Sequence, residues 1–136
     1  METLEQALGS LRAGMFAPQN GGKIPEKTKV GPFVKIGGTT SVQPDGSVAA
    51  ENDAYGQTKY ILEKFVKLLS QAGAEVKDVI SVKAYAVDMK LGGEIARAYT
   101  EIFKEVRPLF TMVGTTALNR PTQLVEIELE AVITNA

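Results

Sequence analysis

Apolar residues recur at two distinct periods along this chain. From position 125 the order Val-Glu-Ile-Glu-Leu-Glu-Ala-Val-Ile alternates strictly, which puts Val125, Ile127, Leu129, Ala131 and Ile133 on one face of a strand and Glu126, Glu128 and Glu130 on the other. Residues 30–36 and the run from Val79 also read as strands, the latter with Val82, Ala84 and Ala86 on one face. Helical spacing appears in Ile61, Leu62, Phe65, Leu68, Leu69 and Ala72, behind a cap at Asn52 or Asp53 and ahead of a left-handed stop at Gly73. It appears again in Ile95, Tyr99, Ile102, Phe103 and Val106, where Pro108 marks the limit.

Between these segments, Pro44-Asp-Gly-Ser predicts a turn leading to a short strand around Val48. Residues 109–117 predict a penultimate strand, which the Asn119-Arg-Pro turn joins to the Glu-bearing strand as a hairpin. Leu4, Leu8, Leu11 and Met15 predict a short amphipathic helix, followed by the breaker-rich Ala17-Pro-Gln-Asn-Gly-Gly. The order is β-β-α-β-α-β-β: an α+β two-layer sandwich with a mixed sheet, both helices on one face, and a right-handed crossover through the first helix. The chain reads as one domain over residues 1–136, with an arm over 1–22 and a core over 23–136. The sheet face away from the helices carries enough apolar residues to require burial by association.

Composition narrows the chemistry. There is no Cys and no His among the 136 residues, which removes disulfides, thiol nucleophiles, imidazole bases and the usual zinc and copper sites. The 15 Lys and Arg nearly balance the 16 Asp and Glu, so no basic field is available to grip nucleic acid. The acidic N-terminus, and the absence of any apolar run near the ~20 residues that span a bilayer, point to a cytoplasmic protein that makes no membrane contact. Phosphate-loop, dinucleotide-binding and G-x-S-x-G patterns are absent.

A line of acids in mid-strand is costly unless the carboxylates reach water or a ligand. Same-face residues two apart are about 7 Å from one another, too far for Glu126, Glu128 and Glu130 to ligate one ion without other segments. Neither a metal nor a cofactor is expected. Glu128 and Glu130 read as a solvated face, and Glu126 as the candidate. Gly37-Gly38-Thr39-Thr40 is either a strand end needing flexible backbone or a place where a ligand meets backbone N–H groups. Arg107 and Arg120 bracket the penultimate strand, and guanidinium is the usual partner of a substrate carboxylate.

Several segments, in order, resemble the Rid family of reactive-intermediate (enamine/imine) deaminases, once labelled L-PSP endoribonucleases. They are Val30-Gly-Pro-Phe-Val-Lys-Ile-Gly-Gly, Gln57, Ala72-Gly-Ala, Val79-Ile-Ser-Val-Lys-Ala-Tyr-Ala-Val-Asp-Met, Tyr99 with Phe103, Pro108, and Leu124-Val-Glu-Ile-Glu. The resemblance implies a chorismate-mutase-like fold and a homotrimer with small-molecule clefts at the subunit interfaces. It also implies that Glu126 helps to activate water, with Glu128 as the alternative if the register differs by two.

The rest of the family's catalytic pattern is missing. The deaminating members carry an Arg just after the Pro of the penultimate strand, and this chain has Phe110 there. The family's Ser, Gln and Asn fall at Gly37, Thr39 and Ala96, and its N-terminal Tyr falls near Ile24. Loss of that Arg removes a charge-assisted pair that stabilises by about 1.5–3 kcal/mol, so 2-imino acids are expected to bind weakly. The expected cleft is lined by Gly37, Gly38, Thr39, Phe110, Thr111 and Met112 around catalytic Glu126, with Arg107 or Arg120 replacing the lost cation. Three activities remain open: a divergent hydrolase of C=N bonds, a non-catalytic metabolite-binding trimer and, with least support, an endoribonuclease.

Overall fold

The structure, a computed structural model, describes residues 25–134. The predicted N-terminal arm and its helix lie outside these residues. Five strands and two helices follow one another: β1 (Lys27–Val30), β2 (Phe33–Thr39), α1 (Ala54–Gln71), β3 (Val79–Ala86), α2 (Gly92–Phe103), β4 (Leu109–Gly114) and β5 (Val125–Val132). The sheet order is β1-β2-β5-β3-β4. It is mixed: β3 and β4 are parallel, and every other pairing is antiparallel. Both helices pack on one face of it, the two-layer α+β architecture that the pattern predicts.

Helix α1 begins where Asp53 accepts a hydrogen bond from the Gly56 N–H at 3.0 Å, and it ends before Gly73 at φ +82°. All six of its predicted apolar positions are buried. Helix α2 stops at Phe103, short of Val106, because the chain turns through Arg107 at φ +54° before Pro108. Ile95 and Phe103 face the core, as do Val82, Ala84 and Ala86 of β3 and Val125, Ile127, Leu129 and Ala131 of β5.

Three strand expectations need correction. Residues 30–36 are not one strand: Gly31, at φ +59°, and Pro32 turn the chain between β1 and β2, which form a hairpin. Val48 makes an isolated bridge to Val42 in place of a strand. The last two strands are not a hairpin, because β3 lies between β4 and β5. The parallel pairing that α2 makes possible brings β4 to the outer edge of β3. The ten residues 115–124 then carry the chain across to the inner edge, where β5 is buried between β2 and β3.

The face opposite the helices is open. Its polar middle is flanked by large apolar side chains, with Leu109 77% and Phe33 60% exposed and Ile80 and Val113 also solvent-facing. Among the described residues no helix is long and apolar enough to cross a membrane.

Candidate functional site

The three glutamates of β5 point to the open face, and each meets a different environment. Glu130 accepts an ion pair from Lys35 at 3.2 Å, its cross-strand neighbour on β2. Glu128 accepts a 2.5 Å hydrogen bond from the Tyr85 hydroxyl on β3. Glu126, paired in register with Tyr85, makes neither kind of contact among the described residues. Its carboxyl is held above the ordinary range, chiefly by burial and secondarily by the negative charge of Glu128. The Tyr85 phenol is also raised, first by its hydrogen bond to Glu128 and then by burial.

What buries Glu126 is an irregularity in β2. Ile36 pairs with Leu129 and Thr39 with Ile127, so Gly37 and Gly38 together stand opposite Glu128. This bulge reverses the strand's alternation and turns Thr39 inward, where its hydroxyl donates to the Gly37 carbonyl at 2.9 Å. Gly38, without a side chain, lies under the Glu126 carboxyl: a Cβ there would be 3.0 Å from Glu126 Cδ. The Gly37 N–H donates to the Glu26 carbonyl at 3.0 Å, which carries the start of the chain past the bulge.

The 115–124 connection closes the other side. Fully buried Gln57 donates to the carbonyls of Ala50 (3.1 Å) and Thr122 (2.7 Å) and accepts from the Leu124 N–H (2.8 Å). Buried Gln123 donates to Thr40 Oγ1 at 3.0 Å and accepts from the Arg120 N–H. These two amides fix the connection to α1 and to the end of β2, beside β5. The resulting cleft, of about 430 Å³, is lined by Gly37, Gly38, Thr39, Thr40, Asn119 and Glu126, with Lys64 and Glu26 contributing as well. A half-desolvated carboxylate over exposed backbone, with room for a small ligand, suits general-base chemistry on a bound water.

Gly37, Gly38, Thr39 and Glu126 therefore come together as expected. The other expected residues do not join them within one protomer. Phe110 and Met112 share a face of β4, but it is the helix-facing one: the Phe110 and Tyr99 ring centroids are 4.1 Å apart, and Met112 packs at Gly92. Thr111 lies on the open face but lines a separate groove with Ser81, Lys83, Glu128 and Glu130. Arg107 precedes the end of β4 that pairs with Ser81, the far end of the sheet from Glu126, and Arg120 turns its side chain to solvent. Sequence reading missed Lys64, Glu26, Asn119 and Tyr85, whose approach depends on a strand order that periodicity does not encode.

A family model described as endoribonuclease L-PSP matches residues 17–133. The chain belongs to the Rid family. It is 30% identical over 116 residues to a RutC family protein of Pyrococcus abyssi, covering 85% of this chain and 89% of that one. It is 32% identical over 100 residues to the 3-aminoacrylate deaminase RutC of Acinetobacter baylyi, covering 74% and 79%. The crystal structure of Rv2704 from Mycobacterium tuberculosis, of the YjgF/YER057c/UK114 family, superposes with a TM-score of 0.73 at 31% identity over 87% of this chain and 92% of that one. This Rid protein places Phe110 against its own helix α2.

Proposed function

We propose that the chain assembles as a homotrimer and hydrolyses C=N bonds at the Glu126 cleft, which the assembly encloses at a subunit seam. The observation that carries this reading is the Glu126 carboxyl, partly desolvated and seated over the Gly37-Gly38 bulge in a ligand-sized cleft. The name of the Acinetobacter relative, a 3-aminoacrylate deaminase, supports the reaction class.

In the proposed reaction, ionised Glu126 takes a proton from water as the water oxygen bonds to the carbon of a protonated imine, and the C=N π pair moves to nitrogen. The protonated Glu126 then returns that proton to the amine of the neutral carbinolamine. Collapse of the hydroxyl to C=O breaks the C–N bond, and the hydroxyl proton leaves with the ammonia as ammonium. Iminium and water go in; a carbonyl compound and ammonium come out, and Glu126 ends as it began. Burial raises its proton affinity towards neutrality, where a base works best.

The test is ammonia release from freshly generated imines and enamines in the presence of the native protein and of Glu126→Gln. The native protein accelerates release and the variant does not; equal rates would sink the reading. A non-catalytic metabolite-binding trimer is the second reading, favoured by the absence of a cation at Phe110 and by its burial against Tyr99. Equal rates, together with saturable metabolite binding, would establish it. RNA cleavage has against it the near-balanced charge and the absence of His.

A further inference from the structure

We propose that the Glu126 cleft selects protonated imines that carry no carboxylate, rejecting imino acids by charge. The proposal rests on the hydrolase reading for its chemistry and on the distribution of charge around the cleft for its substrate class. Three charged side chains line the cleft: Glu126, Glu26 and Lys64. The Lys64 ammonium is 3.3 Å from Glu26 Oε2 and is neutralised there, which leaves the Glu126 charge uncompensated. Glu128, next along the same face, adds negative potential, and its carboxylate is already engaged by the Tyr85 hydroxyl.

No other described cation of the same protomer lines the cleft. Lys35 is committed to Glu130, and Lys83 lies over the Tyr85 ring at 5.9 Å, lining the neighbouring groove. Arg107 donates to the Lys104 carbonyl at the other end of β4, and Arg97 stacks at 3.9 Å on Tyr55. Within one protomer an incoming carboxylate would therefore meet like charge with no described fork to receive it. A protonated imine brings the opposite sign, and its N–H groups can donate to Glu126 while its carbon faces the water that Glu126 activates. Beside these charged groups the lining mixes small polar residues, Thr39, Thr40 and Asn119, with the apolar Pro25 and Val42, and its volume of about 430 Å³ admits a small ligand.

Acetamidinium and acetate test the selection without any chemistry, because they are planar, nearly isosteric and opposite in charge. Titrated into the full-length 15N-labelled protein, acetamidinium is expected to shift the Gly37 and Gly38 amide resonances saturably. Its Kd should be at least about ten-fold below that of acetate, and the shift should be lost in Glu126→Gln. Equal or tighter binding of acetate, or no binding of either ion, overturns the proposal. Glu26→Gln releases Lys64 and should narrow the preference; an unchanged preference in that variant rejects the charge argument.

A kinetic arm separates this proposal from the reaction it rests on. Imines generated in situ from a primary amine should be hydrolysed with a kcat/KM at least about ten-fold above that for 2-iminopropionate. If both are accelerated alike, the hydrolase reading stands and the selection fails. If acetamidinium binds and neither imine is accelerated, the selection stands and the hydrolase reading fails.

Discussion

Gly38 lies beneath the carboxyl of Glu126, so closely that a Cβ on it would stand 3.0 Å from Glu126 Cδ and 3.2 Å from Oε1. Gly38 does not have the positive φ that excludes other residues, so Gly38→Ala should fold with the bulge intact and push the carboxylate aside. Misplacing a reacting group by about 1 Å can cost about 100-fold, and we expect imine hydrolysis to fall by about 10- to 100-fold. Steady-state kinetics beside a thermal melt check this. A variant with native turnover would show that the carboxyl position does not matter.

Tyr85 donates to Glu128 at 2.5 Å while pairing in register with Glu126, which places one hydroxyl between two carboxylates on the open face. Its proton offsets part of the Glu128 charge that Glu126 feels. In Tyr85→Phe that charge is bare, so the limb of the pH–rate profile reporting Glu126 should move to higher pH. In Tyr85→Phe/Glu128→Gln the charge is gone, and the limb should fall below its native position. A limb that stays fixed in both variants would reduce Tyr85 to packing.

Local pattern carried much of this molecule. The alternation from Val125 placed three glutamates on one face and a buried row on the other, and the helical spacing of Ile61 to Ala72 matched the core side of α1, because both follow from backbone periodicity alone. Strand order does not. Whether β4 pairs with β5 or with β3 depends on a crossover that is cheaper to satisfy across α2, and nothing local to residues 109–117 records it. Beside β3, Phe110 packs on α2 and does not meet Glu126 within one protomer. The Gly37-Gly38 bulge was visible as a glycine pair, but its effect, turning Thr39 inward and clearing space for Glu126, needs the β2–β5 register.

Gln57 holds three backbone groups from two loops with one buried amide. Gln57→Ala leaves the Leu124 N–H without its partner and takes one of two donors from each of the Ala50 and Thr122 carbonyls, which keep the Asp53 and Asn52 N–H groups. At about 1–3 kcal/mol for the one N–H left unsatisfied, the loss is a sizeable fraction of a small domain's stability. Urea unfolding should show the midpoint falling with an unchanged slope. A midpoint within error of native would mean that water replaces the amide.

Leu109, 77% exposed at the start of β4, and Phe33, 60% exposed at the far side of the sheet, both face solvent in one protomer. If the open face is the trimer seam, Leu109→Asp buries a charge there and should drop the mass measured by light scattering from three chains to one. Because the side chain is solvent-facing within the protomer, its circular dichroism spectrum should not change. A variant that remains a trimer places the seam elsewhere.

Glu126 gives the sharpest test, because its chemistry and its effect on stability should oppose one another. Burial and the Glu128 charge raise its folded-state pKa above the ordinary carboxylate value. Between the unfolded and folded values the native state binds more protons than the unfolded one, so this group's contribution to stability falls as pH rises through that window. Glu126→Gln removes the penalty. It should be more stable than the native protein at neutral pH, and the difference should vanish on acidification below the ordinary carboxylate pKa. Activity runs the other way: it requires the ionised form, so native turnover should rise across a limb centred above the ordinary value, while the variant is inactive throughout. Paired melts and rate profiles from acid to neutral pH decide it, and a Glu126→Gln protein less stable than native at neutral pH would show that the carboxylate is satisfied where it sits, not poised to act as a base.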